Sequence, residues 1–137
     1  MLLRRLLSGQ HGRPAKVIVL SRDEGKQHDI RVLYQNRVAG EEALYENFRR
    51  RLEFRIGDVR DYASVAAALR DVDMVFNAAA LKQVPACEYF PYEAVRTNVE
   101  GPENIVRAIR DQRLPVETIV GVSTDKATKP VNVMGMT

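Results

Sequence analysis

Short apolar runs alternate along this chain with longer stretches in which apolar residues recur every three or four positions. Residues 16–21 form an unbroken apolar run with β-branched members, which predicts a strand buried on both faces. Residues 73–77 predict another strand, and residues 116–122 predict a last one whose segment 118–122 is buried. Residues 52–56 alternate apolar and charged side chains, which predicts a half-exposed strand at a sheet edge.

Helical periodicity separates these runs. The predicted helices cover residues 1–10, 24–36, 41–49, 61–70 and 91–111. Pro102 lacks the N–H that would bond to the carbonyl of Asn98, so the last helix is expected to kink or restart at Gly101-Pro102. Strands that alternate with helices predict an α/β fold, a doubly wound parallel sheet with right-handed crossovers, within one domain over residues 1–137.

Composition places the chain among globular proteins. Its 137 residues are 45% apolar and 28% charged, and no apolar run approaches the ~20 residues that span a bilayer. The apolar blocks of residues 1–7 are two residues long, whereas a signal peptide needs roughly 7–15 apolar residues in a row. We therefore expect a cytoplasmic protein with no membrane segment in this stretch.

Metal and disulfide chemistry find little support in the sequence. Cys87 is the single cysteine, so no internal disulfide is possible. His11 and His28 have no cysteine or carboxylate at metal-ligand spacing. The sequence predicts no metal site.

The net charge of +3 suits an anionic ligand such as a nucleotide. Residues 49–51 are three consecutive arginines, the densest basic run. A solvated helix end beside a strand is the favoured interpretation, and contact with nucleic acid is the alternative. We expect no nucleic-acid partner.

The last fifteen residues carry the densest candidate chemistry. Thr124, Asp125 and Lys126 follow the last predicted strand, and ligands of open parallel sheets bind at the carboxyl ends of strands. An adjacent carboxylate and ammonium are commonly a surface ion pair, which is the alternative.

Arg22 directly follows the first predicted strand. An acidic residue there bonds a ribose 2′-hydroxyl, whereas an arginine pairs with a 2′-phosphate. Lys26 adds a second positive charge. This pattern favours NADP over NAD as cofactor; a solvent-facing loop arginine is the alternative.

Five segments together resemble the short-chain dehydrogenase/reductase superfamily and, within it, the UDP-N-acetylglucosamine 4,6-dehydratases of polysaccharide biosynthesis. Their order and spacing match over nearly the whole chain. The segments are Ser21-Arg22-Asp23-Glu24 with Lys26-Gln27, Gly57-Asp58-Val59-Arg60-Asp61, Asn77-Ala78-Ala79-Ala80-Leu81-Lys82-Gln83-Val84-Pro85, Thr97-Asn98-Val99-Glu100-Gly101, and Ser123-Thr124-Asp125-Lys126 with Pro130, Asn132 and Met134-Gly135.

The chain departs from that resemblance in three places. The family's first strand and glycine-rich phosphate loop fall before residue 1, so the expected Rossmann-like, NAD(P)-binding sheet is incomplete and lacks its central strand. The family's catalytic lysine falls one position beyond Thr137. Met134 stands where the superfamily usually has a tyrosine, although some dehydratases resemble it in carrying methionine there. We expect this chain alone to be inactive and to bind NADP weakly.

The resemblance implies a three-step lyase reaction on a UDP-sugar. Hydride passes from C4 to NADP, water is lost across C5 and C6, and hydride returns to C6. Lys126 would be the base at C5 if desolvation or a nearby cation favours its neutral form. Asp125 would be the acid for the leaving hydroxyl, which requires a raised pKa, and Thr124 would hydrogen-bond the 4-oxygen.

Further roles are implied by the same resemblance. Lys82 and Asn132 would contact the sugar nucleotide. Candidate cofactor-binding residues are Arg22, Lys26, Asp58, Val59, Ala78, Ala79, Ala80 and Asn98, and the catalytic candidates are Thr124, Asp125, Lys126 and Met134. Asp58 and Val59 would flank the adenine, the three alanines would line the ribose and nicotinamide side, and Asn98 resembles the superfamily's structural asparagine near the site. The full-length protein is expected to be a homo-oligomer. A nucleotide-sugar epimerase of the same superfamily and a non-catalytic nucleotide-binding or interaction module remain alternatives.

Overall fold

The computed structural model describes residues 2–10, 12–35 and 42–137, and the side chains from residue 44 onward in the last range. The described chain divides into two compact units, Met1–Gly57 and Asp58–Thr137. His11, whose non-ligand role was predicted, and the predicted helical positions 36 and 41 lie outside the described residues. The single-domain organisation stays a prediction.

Within its described residues, unit 1 has three helices and one pair of parallel strands. The strands pair in register from Val17↔Leu52 to Ser21↔Ile56. The elements are α1 (Leu2–Ser8), β1 (Val17–Ser21), α2 (Glu24–Gln35), α3 (Glu42–Arg51) and β2 (Leu52–Ile56). Where the structure describes it, every element of unit 1 lies within two residues of its predicted bounds. The prediction that β1 is buried on both faces is wrong, because all five of its residues are only half-buried.

The core of unit 1 forms between the helices and the strand pair. Leu7 of α1 and Phe48 of α3 are buried, and Leu44 completes the cluster. The rings of Tyr34 and Phe48 stack with centroids 5.4 Å apart, and Asn47 donates a 2.8 Å hydrogen bond to the carbonyl of Leu7. Leu7 therefore packs α1 against α3.

The arginine run occupies the last turn of α3, directly before β2. Arg49 lies over the ring of Tyr45, Arg50 pairs with Glu46 at 3.6 Å, and Arg51 donates to the carbonyl of Pro14. The interpretation as a solvated helix end beside a strand is confirmed.

Unit 2 contains a second pair of parallel strands. β3 and β4 pair in register from Met74↔Thr118 to Asn77↔Gly121. The elements are α4 (Tyr62–Ala68), β3 (Met74–Asn77), α5 (Val84–Tyr89), α6 (Pro91–Val95), a π-turn (Arg96–Glu100), α7 (Gly101–Gln112), β4 (Thr118–Gly121), a 3₁₀ turn (Asp125–Ala127) and α8 (Val133–Met136). Helices α5 and α8 were not predicted.

Helices α4 and α7 form the larger core of unit 2. Its buried members are Val65, Ala66, Leu69, Ile105 and Ala108. Helix α4 begins because the Asp61 carboxylate accepts hydrogen bonds from the amides of Ala63 and Ser64, which satisfies N–H groups that have no partner within a helix. Val75 of β3 packs against this core.

The prediction that β4 is buried is wrong, because all four of its residues are exposed. Ile119 and Val120 are 44% and 40% exposed. Strands of a parallel sheet are buried where layers cover both faces. Among the described residues of unit 2, the α4–α7 core meets the sheet through Val75 of β3, and Val120 stays open.

The predicted interruption of the last long helix is confirmed, and it takes the form of a π-turn. The N–H of Gly101 bonds to the carbonyl of Arg96, five residues back, and α7 begins with Gly101-Pro102. Pro102 has no N–H, so the regular pattern cannot continue through it. The hydroxyl oxygen of Thr97 in this turn is buried with no hydrogen-bond partner.

The predicted α/β class with parallel strands is confirmed, with the sheet present as two strand pairs. None of the helices in the described ranges has the length and apolar character needed to cross a bilayer.

Candidate functional site

The residues that were predicted to bind a 2′-phosphate lie at the carboxyl end of β1, within unit 1. Arg22 is exposed in the loop between β1 and α2. Lys26 lies in the first turn of α2, and its ammonium is 3.2 Å from the carboxylate of Asp23. Asp23 also accepts the Lys26 amide, and these two hydrogen bonds lower the pKa of Asp23. Two cationic side chains thus lie close together in the chain at the end of β1.

Gln27 is a structural residue of this end that sequence reasoning did not single out. Its side chain is 4% exposed and donates to the carbonyls of Ser21 and Arg55, at 3.1 and 2.9 Å. It therefore ties the ends of β1 and β2 together. The available signal was its spacing, because Gln27, Ile30 and Tyr34 share one face of α2.

The end of β3 opens into the alanine triplet, Ala78–Ala80, whose residues are all exposed. Asn77 accepts the amide of Ala79 through its side chain at 3.3 Å. The triplet offers main chain and methyl groups to any ligand that lies against it. Lys82 is likewise exposed nearby in the chain.

Asn98 of the π-turn forms hydrogen bonds with Leu81, the residue after the alanine triplet. Its Oδ1 accepts the Leu81 amide at 2.8 Å, and its Nδ2 donates to the Leu81 carbonyl at 3.0 Å. Nδ2 also lies 3.0 Å from the hydroxyl of Thr137. Asn98 therefore acts as a main-chain anchor for Leu81.

The Thr124-Asp125-Lys126 segment forms the 3₁₀ turn that follows β4. The Thr124 hydroxyl accepts the Lys126 amide and lies 3.2 Å from Oδ1 of Asp125, while the Lys126 ammonium is 3.7 Å from the same carboxylate. The Thr124 hydrogen bond and the Lys126 charge lower the pKa of Asp125. The general acid needs the opposite shift, and the side chain of Asp125 is 91% exposed.

Helix α8 holds this turn in place through Gly135. A Cβ on Gly135 would overlap the carbonyl oxygen of Lys126 and lie 3.1 Å from Cβ of Pro130. Asn132 caps α8 by accepting the Gly135 amide at 2.9 Å, so its side-chain oxygen is already engaged. Glu88 of α5 accepts the Val133 amide at 2.7 Å. The main chain of Lys126 is therefore packed against a helix end that α5 secures.

Met134 belongs to a small core of unit 2. It is 9% exposed and packs with Cys87 and Ala94. Burial raises the pKa of the Cys87 thiol. A buried thioether provides no acid or base, so the proton partner for a sugar 4-hydroxyl is not supplied at this position.

The structure brings some predicted residues together within unit 2 and holds others separately. The main chain of Lys126 and the side chain of Asn132 both contact Gly135 of α8. The side chain of Asn98 forms hydrogen bonds with Leu81 and Thr137. Asp58 and Val59 are half-buried in the turn after β2. Arg60, Asn104 and Glu88 are contact residues that sequence reasoning did not single out.

Comparison with known protein families identifies one that covers the whole chain. The profile of a protein family described as "Polysaccharide biosynthesis protein" matches residues 1–137. The chain belongs to this family. The predicted resemblance to the short-chain dehydrogenase/reductase superfamily is confirmed.

Two relatives from Rickettsia species carry the name UDP-glucose 4-epimerase. A UDP-glucose 4-epimerase of Rickettsia conorii is 43% identical over 136 residues, which are 99% of this chain and 36% of the relative. One of Rickettsia canadensis is 47% identical over 121 residues, 88% of this chain and 31% of the relative. The chain thus spans about a third of the length of these relatives.

Solved structures show the same fold. Pen from Bacillus thuringiensis superposes with a TM-score of 0.79 at 33% identity, covering 97% of this chain and 37% of that one. A dTDP-glucose 4,6-dehydratase from Streptomyces venezuelae, with NAD and DAU bound, gives 0.72 at 25% identity, covering 98% and 42%. A UDP-glucose 4-epimerase at 18% identity and TM-score 0.65 shares the fold.

Proposed function

We propose that the native protein containing this chain is an NADP-dependent 4,6-dehydratase of a UDP-N-acetylglucosamine-type sugar, acting in polysaccharide biosynthesis. The observation that carries the proposal is the adjacent Asp125 and Lys126 at the carboxyl end of β4, with the Lys126 main chain packed on Gly135. Elimination of water needs one base and one acid at neighbouring carbons, and this pair offers both. The protein would act in the cytoplasm, as a homo-oligomer.

The residues present fit a nicotinamide dinucleotide. Arg22 and Lys26 supply cationic donors for a 2′-phosphate, and the alanine triplet adds no atoms beyond Cβ where the nicotinamide ribose would lie. A bound NADP would supply the hydride chemistry at C4 and C6 of the sugar. The chain's own share is to hold the sugar and to move protons.

The two proton steps of the elimination are each assigned to one side chain. Lys126 removes the C5 proton, Asp125 protonates the departing 6-hydroxyl, and Thr124 hydrogen-bonds the 4-oxygen. Because the pKa of Asp125 is lowered in the free chain, this role requires that the bound sugar displace water from Asp125. Lys82 and Asn132 would contact the sugar nucleotide.

Epimerisation at C4 is the second candidate, and the names of the relatives at 43–47% identity favour it. An epimerase also oxidises C4, but it returns hydride to the same carbon and leaves C5 and C6 intact. It therefore needs no elimination acid or base, and Asp125 and Lys126 would then have no chemical step.

Product analysis in D₂O separates the two. Incubated with UDP-N-acetylglucosamine and NADP, the native polypeptide is expected to release a sugar nucleotide lighter by one water and carrying solvent deuterium at C5. Lys126→Met is expected to lower kcat by about 10²–10⁴-fold, because general base catalysis contributes that much. Lys129→Met, an exposed lysine of the same loop, is the control. An isomer of unchanged mass without deuterium would establish epimerisation instead.

Cofactor choice provides a separate prediction. Arg22→Glu in the native polypeptide is expected to shift the ratio of NADP to NAD affinity toward NAD by roughly 10–100-fold, since hydrogen bonds to a charged group contribute about 1.5–3 kcal/mol. The measurement is the KM for each cofactor. Arg70→Glu makes the same charge change at an exposed site in unit 2. Equal ratios in the wild type and Arg22→Glu would contradict NADP recognition by Arg22.

A further inference from the structure

The turn of residues 58–61, here called the Asp58 turn, lies at the start of unit 2. The Asp61 amide bonds to the Asp58 carbonyl at 3.0 Å, and Asp61 then caps α4. Asp58 and Val59 are half-buried, and both were predicted to flank the adenine of the cofactor. The conformation of this short turn therefore decides what it can present to an adenine.

Arg60 holds the Asp58 carboxylate from within the turn. Its Nε lies 3.0 and 2.9 Å from the two carboxylate oxygens, its Nη2 lies 2.6 Å from Oδ2, and its amide donates to Oδ1 at 3.0 Å. Its Nη1 pairs with Glu93 of α6. Asp58, with Glu93 adding to it, raises the pKa of Arg60. Both oxygens of Asp58 are therefore engaged by Arg60, which α6 anchors.

Helix α7 contacts the Asp58 turn through Asn104 and Gly101. Asn104 is 8% exposed and donates to the Val59 carbonyl at 2.9 Å. A Cβ on Gly101 would lie 3.0 Å from Cγ2 of Val59, so glycine permits this close approach. The turn is thus fixed through Arg60, Asn104 and the packing of Val59.

We infer that Arg60 and Asn104 are positioning residues for the adenine end of the cofactor, and that the Asp58 carboxylate serves to hold Arg60. The inference rests on the proposed use of NADP. With its carboxylate engaged, Asp58 acts through the main-chain shape of the turn, which is set before the ligand arrives. A binding site held in one geometry by surrounding contacts loses less freedom when it binds.

The test combines hydrogen exchange with ligand titration on the native polypeptide. In Arg60→Met, amide exchange at residues 58–61 is expected to rise at least tenfold, while α4 and α7 keep their protection. The dissociation constant for 2′,5′-ADP, measured by NMR titration, is expected to rise roughly tenfold. Arg60→Lys should restore part of both, and Arg70→Met should change neither. Asn104→Leu should resemble Arg60→Met.

A double-mutant cycle decides whether Asp58 acts through Arg60. The effects of Asp58→Asn and Arg60→Met on 2′,5′-ADP affinity are expected to be non-additive, the double variant binding like either single one. Additive losses would show that the Asp58 carboxylate contacts adenine itself and would overturn the inference. Unchanged amide exchange and unchanged 2′,5′-ADP affinity in Arg60→Met and in Glu93→Gln would also overturn the inference. No binding of 2′,5′-ADP to the wild type would instead defeat the proposed cofactor, and the inference with it.

Discussion

In the Gly135→Ala variant, Cys87 is expected to react with a thiol reagent about tenfold or more faster than in the wild-type chain. The added Cβ would overlap the Lys126 carbonyl oxygen and crowd Pro130. Overpacking of this kind costs about 1–3 kcal/mol, and each ~1.4 kcal/mol is a factor of ten in the open fraction. Met134 covers Cys87 from the same helix, so displacing α8 uncovers the thiol.

Thiol labelling suits this question because Cys87 is the single cysteine and is fully buried. Its labelling rate then reports opening of the α5–α8 core. Gly121→Ala is the matched control, since nothing lies within 4 Å of a Cβ at that position. Equal labelling rates in Gly135→Ala and Gly121→Ala would show that the loop containing Lys126 moves aside at no cost.

Asn98→Leu is expected to lower the free energy of unfolding by about 2–4 kcal/mol, since a buried polar group left unpaired costs about 1–3 kcal/mol. The change leaves the amide of Leu81 without its partner, leaves its carbonyl with only the weak donor Sγ of Cys87 at 3.5 Å, and removes the bond to Thr137. Urea denaturation followed by circular dichroism measures the loss.

Two further variants sharpen the result. Asn98→Asp keeps the acceptor for the Leu81 amide and loses both donors, so an intermediate loss is expected. Glu103→Gln, an exposed change on α7, should leave the unfolding free energy within about 0.5 kcal/mol of the wild type. If Asn98→Leu unfolds at the same urea concentration as the wild type, the hydrogen bonds of Asn98 do not stabilise unit 2.

Local patterns predicted the strands and long helices of this protein well. The alternation in β2 gave the observed bounds Leu52–Ile56, because each charged residue there faces away from the apolar one beside it. Pro102 located the interruption in the last long helix, since a missing N–H is a property of one residue. The family resemblance was confirmed over residues 1–137.

Contacts between distant residues account for what was missed. Helix α8 has only four residues, and one of its first amides is satisfied by Glu88, 45 residues earlier. Asn104 and Val59 are equally far apart in the chain. The burial of β4 was predicted wrongly because an apolar run reports what a strand can bury, whereas the layers available around it decide what is buried.

The roles assigned to the Thr124-Asp125-Lys126 turn remain predictions. Its place after β4 could be predicted from the sequence, since the apolar run before it marks the strand end. The direction in which the pKa of Asp125 shifts could not be predicted from the sequence, because it depends on the Thr124 hydroxyl and on the solvent around the side chain. Those quantities depend on three-dimensional placement, which residue types alone do not determine.

The π-turn makes the length of the chain between α6 and α7 as critical as its composition. Each residue of a helix turns its neighbour by about 100°, so deleting one residue from Arg96–Glu100 would rotate α6 against α7 by that angle. Glu93 and Asn104 reach the Asp58 turn from opposite sides of this insertion. Losing one residue here would therefore break either the ion pair between Glu93 and Arg60 or the hydrogen bond from Asn104 to Val59.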